Sequence, residues 1–151
     1  MIEVRPEAPD GPAARALWAE YMALVRDRLG DDFEPTEEIF ASDRDFGTWL
    51  VLYEDGDAVG CGGVRVLEPG VAEIKRMFVT AAARRRGHGR RLLHDLERAA
   101  QAGGHHRVRL YTTDVLVEAR ELYATAGYRL ISSHHEGDRV DHWLEKALEP
   151  R

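Results

Sequence analysis

Apolar residues recur along this chain in two rhythms, one with a period near two and one near three and a half. Residues 2–5 read as a short strand closed by Pro6. From Pro12 to Leu29 the apolar positions Leu17, Tyr21, Leu24 and Val25 fall at helical spacing, with Asp10 available as a cap and Gly30 as a stop. An acidic stretch over 31–38 follows, and its second half opens a short helix through Ala41. Residues 49–53 form a strand, and Asp55-Gly56 is a hairpin signal into a second strand at 58–66. Gly60, Gly62 and Gly63 inside that strand call for a bulge or a close backbone approach. Pro69-Gly70 turns the chain into a third strand, 71–80.

The second half changes rhythm. A loop over 81–89 leads into a helix with Leu92, Leu93, Leu96, Ala99 and Ala100 on one face, ended by Gly103-Gly104. Residues 107–111 alternate as a strand, with Val108 and Leu110 against Arg107 and Arg109. Ala119, Leu122, Tyr123 and Ala126 then mark a helix stopped by Gly127. Residues 128–131 and 140–144 close the chain as a hairpin. No repeat, low-complexity tract or linker interrupts this order. The pattern predicts one mixed α/β domain over 1–151, with a strand–loop–helix–strand crossover from 71 to 111.

Composition narrows the class. The 151 residues are 44% apolar and 32% charged, which suits a globular chain with its own core. No run approaches the roughly 20 apolar residues of a bilayer span, and the N-terminus lacks the pattern of a signal peptide. Cys61 is the lone cysteine, so an internal disulfide framework and an all-cysteine metal site are excluded. The expectation is a soluble, cytoplasmic protein. Residues 1–60 hold 15 acids against 5 arginines, whereas residues 61–151 hold 12 acids against 16 basic residues. One half thus favours a cation and the other an anion. The overall charge of −6 argues against a nucleic-acid-coating protein.

The stretch that carries chemistry is Arg84-Arg85-Arg86-Gly87-His88-Gly89-Arg90-Arg91-Leu92-Leu93. Two glycines one residue apart let successive backbone N–H groups point inward, and the helix behind them adds unpaired amides and a positive dipole end. That combination binds a phosphate or pyrophosphate, and the arginines can add charge-assisted contacts. A dinucleotide fingerprint wants a third glycine where Leu92 stands, and a P-loop wants Gly-Lys-Ser/Thr, which is absent. A basic nucleic-acid patch and a plain solvated turn are the other readings of the loop alone.

The flanking segments add context. Glu73-Ile74-Lys75-Arg76-Met77-Phe78-Val79, then Arg-x-x-Gly-x-Gly, then Leu92-Leu93, then the run from Ala119 to Tyr128 resemble the GNAT superfamily of N-acetyltransferases. The resemblance covers about residues 48–131. It implies a GNAT fold: a twisted, mostly antiparallel sheet of six to seven strands with four helices, and a splayed parallel pair at the cofactor cleft. It implies acetyl-CoA as co-substrate, with its pyrophosphate on the amides of Arg85, Arg86, Gly87, His88, Gly89 and Arg90, and Arg84 beside them. Backbone groups of Met77 and Val79, flanking Phe78, would pair with the pantetheine arm in the splay between 71–79 and 107–111.

The reaction so implied is an acyl transfer, direct attack of a primary amine on the thioester. Glu73 matches a position used as general base in some members, and plain alternation puts Glu73, Lys75, Met77 and Val79 on one strand face. Its other reading is a strand carboxylate paired with Lys75 or Arg65. Tyr123 matches the tyrosine that protonates the departing thiolate; its other reading is a core residue beside Leu122 and Ala126. Leu116 stands where many relatives carry an asparagine that braces the cofactor, with Thr112, Thr113 and Asp114 as candidate substitutes.

Metal chemistry is not expected, because His134, His135 and His142 lack the helical spacing of zinc enzymes. His134, His135 and Glu136 are candidates for the acceptor pocket, which in the family is formed largely by the first two helices and their loop. That loop is acidic here (Asp27, Asp31, Asp32, Glu34, Glu37, Glu38), so a cationic small molecule is the expected acceptor. The other classes are a protein or peptide amine as acceptor, and a non-catalytic acetyl-CoA sensor. Neither nucleic acid nor membrane is an expected partner, and a homodimer is common in the family.

Overall fold

A tight turn at Asp55-Gly56 joins two long neighbouring strands, and both turn residues adopt positive φ (+52° and +90°), as a type I′ hairpin requires. The structure is a computed structural model that describes residues 1–29, 46–84, 86–112, 117–131 and 142–148. Its elements in chain order are β1 (Ile2–Pro6), α1 (Pro12–Leu29), β2 (Phe46–Glu54), β3 (Asp57–Glu68), β4 (Val71–Val79), α2 (His88–Ala102), β5 (Arg107–Thr112), α3 (Val117–Thr125), β6 (Arg129–Ile131) and β7 (His142–Ala147). A single 3-10 turn, Ala81–Ala83, follows β4. The fourth helix expected, ending at Ala41, lies outside the described residues, as do Gly30 and the brace position Leu116.

All seven strands form one sheet in the order β1-β2-β3-β4-β5-β7-β6. Every neighbouring pair is antiparallel except β4 and β5. The mixed α/β class and the mostly antiparallel sheet follow the expectation. The last hairpin is displaced: β7 runs over His142–Ala147 and pairs Arg129 with Glu145, rather than ending at Leu144. The cap of α1 also differs. The first helical bond runs from Arg15 N–H to Gly11 C=O, so Gly11 rather than Asp10 precedes Pro12 at the first helical position, where proline's fixed φ is no handicap.

Helices cover both faces. On one face α2 and α3 pack Leu92, Leu93, Leu96, Ala100 and Tyr123 onto Leu52, Val64, Ile74, Val108 and Leu110. Leu92, Leu93 and Leu96 are almost wholly buried, each contributing about 1.5–3 kcal/mol of apolar transfer energy. On the other face α1 sets Ala14 and Leu17 against Trp49, Val51, Cys61 and Phe78. The glycines of β3 serve close approach: a Cβ at Gly62 would stand 2.7 Å from Leu96 Cδ1, and one at Gly60 3.3 Å from Val79 Cγ2.

Candidate functional site

Two features of β4 build the cleft. The first is how little of it β5 follows. The parallel ladder holds only Val71 with Arg107, Ala72 with Val108 and Glu73 with Arg109. Beyond Glu73, β4 pairs with β3 alone, and β5 past Arg109 pairs with β7 alone. The strands therefore part along Ile74–Val79, leaving backbone amides and carbonyls of β4 facing a gap, where a ligand with alternating donors and acceptors can pair.

The second feature is a bulge. Cys61 pairs with Phe78 and Gly63 with Lys75, so β4 spends one residue more than β3 over this stretch. Arg76 lies within it at φ +56°, a conformation that non-glycine residues rarely take. Its guanidinium lies 4.4 Å from the centroid of the Trp18 ring on α1, and its carbonyl accepts the Cys61 thiol at 3.8 Å. The extra residue reverses the alternation. Ala72, Ile74, Met77 and Val79 pack toward α2, whereas Phe78 packs toward α1. Glu73 therefore lies on the α1 face, opposite Met77 and Val79, and the expectation of one shared face is corrected. Its carboxylate is nearly wholly buried, 3.0 Å from Arg65 Nε and 3.9 Å from Lys75 Nζ.

Tyr123 sits on α3 in the core under α2, its ring 5.7 Å from that of Tyr128. Burial pushes its phenol well above the ordinary range, and Tyr21 adds to the shift although it packs with the α1 face. The phenol is therefore a proton-bearing group at all physiological pH values. Behind it, Tyr128 donates to the buried Glu97 at 2.8 Å, and Lys146 Nζ lies 3.1 Å from the same carboxylate.

Among the described residues, the loop after β4 and the start of α2 place Arg84, Arg86 and Arg90 on protein groups. Arg84 Nε donates to Val79 C=O at 3.2 Å, closing the exit from β4. Arg86 Nη1 donates to Glu54 Oε1 at 2.5 Å, and the His88 ring meets the other oxygen of the same carboxylate through Nε2. Arg90 reaches Thr125 Oγ1 on α3 at 3.0 Å. Arg85 lies outside the described residues. Gly87 precedes α2 at φ +81°, with no atom within 4 Å of a would-be Cβ, and no side chain caps the helix. Gly89 fits because its missing Cβ would stand 3.1 Å from Leu122 Cδ2 on α3.

The helix begins at His88, inside the Gly-x-Gly, and a groove of about 580 Å³ along its flank is lined by Gly87, Arg90, Arg91, Glu97, Thr125 and Lys146. Uncapped amides, an open left-handed glycine and a cationic rim suit a pyrophosphate, and the adjoining strand gap suits an amide-bearing arm. These residues fit a CoA thioester. Glu54 is the site residue that sequence reading passed over. No local spacing links it to residues 32 and 34 positions away; only the β2–β3 hairpin brings it there.

Among the described residues no three His, Cys, Asp or Glu side chains are grouped as a metal site requires. His134, His135, Glu136 and the acids of 31–38 lie outside them. No described helix is long and apolar enough to cross a membrane.

Comparison with known proteins agrees with this geometry. The family model described as "Acetyltransferase (GNAT) family" matches residues 13–128. An uncharacterized N-acetyltransferase of Escherichia coli K12, YjgM, is 35% identical over 149 residues, covering 87% of this chain and 88% of its own. The IAA acetyltransferase of Azospirillum brasilense is 46% identical over 57 residues, only 37% of either chain. Among solved structures, a GNAT acetyltransferase from Staphylococcus aureus Mu50 superposes with a TM-score of 0.82 at 16% identity, covering 99% of this chain and 100% of that one. One from Elizabethkingia anophelis, with acetyl-CoA bound, gives 0.72 at 18% identity, covering 97% and 98%. At such identities these structures speak for the fold.

Proposed function

The chain belongs to the GNAT acetyltransferase family, and from that premise we propose that it is a single-domain cytoplasmic N-acetyltransferase moving the acetyl group of acetyl-CoA to a primary amine by direct attack. The observation that carries this reading is the pairing of a parted β4–β5 cleft with an uncapped, glycine-led helix start at its mouth. The bound state of the Elizabethkingia neighbour supports acetyl-CoA as donor.

Acetyl-CoA, when bound, supplies the thioester; the rest of the chemistry falls to the chain. The amides of residues 86–90 hold the pyrophosphate. Backbone groups of Met77 and Val79 hold the pantetheine arm, and the Val79 carbonyl keeps a second lone pair beside the one that Arg84 uses. The amide of Val79 polarises the thioester carbonyl. Tyr123, protonated because it is buried, gives its proton to the departing sulfur. Glu73 takes the proton of the acceptor ammonium, directly or through water. Its place on the α1 face fits that role, since the acceptor pocket of the family is built by the first helices. Arg65 keeps the carboxylate in place.

A cationic small amine is the acceptor we favour, drawn by the acids of residues 27–38. Neutralising Asp31 and Asp32 together should raise KM for such an amine, and an unchanged KM would sink the idea. The decisive test is thiol release from acetyl-CoA across a panel of polyamines, amino sugars, amino acids and lysine peptides. Release with one class establishes the transferase and names its acceptor. CoA binding without release from any class overturns the enzyme in favour of a sensor.

A further inference from the structure

We propose that Glu54 is a positioning residue for the donor loop, a carboxylate that holds the loop in the shape a pyrophosphate-bearing donor needs. The proposal rests on the reading above, that the loop receives a CoA thioester. Glu54 ends β2, next to the Asp55-Gly56 turn, and it accepts from both residues that flank Gly87. Arg86 reaches one oxygen at 2.5 Å, and His88 takes the other. His88 is buried as the first residue of α2, while Gly87 between the two holds φ +81°. One carboxylate thus fixes both neighbours of a loop residue whose backbone turns left-handed.

The consequence is a division of labour. Arg86 leans toward the β2–β3 hairpin and does not line the groove, whereas Gly87 and Arg90 do. The first amides of α2 carry no side-chain cap, and the strap fixes their place before a ligand arrives. A preorganised loop loses less conformational freedom on binding than one that must be ordered by the ligand. His88 and Arg86 also keep the Glu54 carboxyl below the usual carboxylate range, so the strap is intact at neutral pH.

Coulomb's law alone makes the opposite prediction. Glu54 is an anion beside an anion site, so removing its charge should tighten CoA binding and free Arg86 to help. The sign of the effect therefore separates the two. The experiment is calorimetric titration of CoA and of pantetheine into wild type and Glu54→Gln, with steady-state rates on acetyl-CoA and S-acetylpantetheine. Positioning predicts that Glu54→Gln weakens CoA about tenfold. KM for acetyl-CoA should rise in step while kcat holds, and pantetheine binding and S-acetylpantetheine turnover should not change. Arg86→Ala, which cuts one arm of the strap and leaves the other, should weaken CoA in the same direction by a smaller factor. Equal or tighter CoA binding by Glu54→Gln overturns the proposal, and so does an equal loss with the truncated donor, which has no pyrophosphate. A wild-type chain that binds no CoA at all brings down the donor-loop reading and this one together.

Discussion

Glu73 and Met77 lie four residues apart on β4, yet their side chains leave opposite faces of the sheet. The bulge at Arg76 is the cause, and it divides the cleft by chemistry. The α2 face carries the donor loop and Tyr123, while the α1 face carries Glu73 with Arg65.

The two groups proposed to handle protons, Glu73 and Tyr123, should therefore separate in mutants. Glu73→Gln should lower kcat about 100-fold with little change in KM for acetyl-CoA, and the deficit should shrink as rising pH supplies more neutral amine. Tyr123→Phe should lower kcat about 10- to 100-fold at every pH while CoA still binds. Because burial raises the Tyr123 phenol, wild-type kcat should show no alkaline fall from its ionisation up to about pH 10. Steady-state rates from pH 6 to 10 check both, and a Tyr123→Phe enzyme as fast as wild type would remove the acid role.

Packing gives a stability prediction. Gly62→Ala forces a Cβ to within 2.7 Å of Leu96 Cδ1, in the core between sheet and α2. Overpacking of this kind costs about 1–3 kcal/mol. For a chain of this length each kcal/mol lowers Tm by about 2–4 °C. Gly47→Ala is the control, since its nearest neighbour would be 3.9 Å away and Tm should hold. Thermal unfolding followed by circular dichroism reads both.

Acid should expose the role of Glu145. Its carboxylate is almost wholly buried on β7, with Arg109 Nε at 3.1 Å, Arg107 at 3.2 Å and Arg129 at 3.3 Å. Burial pushes its carboxyl up, but the hydrogen bonds of Arg109 and Arg129 and the charge of Arg107 outweigh that and hold it below the usual range. A lowered folded-state pKa contributes stability that is fully present above the unfolded carboxylate pKa, about 4.3, and is lost as pH falls through the folded value. Glu145→Gln should thus be clearly less stable than wild type in urea at pH 7, with the gap closing below about pH 4. A gap independent of pH would contradict the assignment.

Cys61 should be inert. Burial between β3 and α1 pushes its thiol up to about 12, against a small opposing pull from Arg76. Iodoacetamide at pH 8 should leave the native chain unlabelled and label it stoichiometrically in urea, as mass spectrometry would show.

Much of this fold was readable from residues alone, and the misses share a cause. The helix from Pro12 to Leu29 and the stop at Gly103-Gly104 were legible because periodicity and terminators are local signals. The β2–β3 hairpin was legible through its Asp-Gly turn. The glycines of β3 announced a close approach and delivered it against Leu96. Those glycines also lie opposite the bulge, but nothing in the sequence put its extra residue on β4 at Arg76, since an arginine with positive φ is chosen by its surroundings: Trp18 on one helix and Cys61 on another strand. Glu54 was illegible for the same reason, its meaning arising only when the hairpin carries it to Arg86 and His88. The role proposed for Tyr123 comes from family likeness, and its burial explains why pattern alone also reads it as core.

Three rungs between β4 and β5 join a leaf of the first four strands in the chain to a leaf of the last three. Mechanically, this short seam is the only ladder between the two leaves among the described residues, and the cleft lies along that same line. An occupant hydrogen-bonded along β4 and braced on β5 would extend the seam with rungs of its own. The parting of the strands and the thinness of their join are then one property, and an occupied cleft would join the two leaves more firmly than the chain does alone.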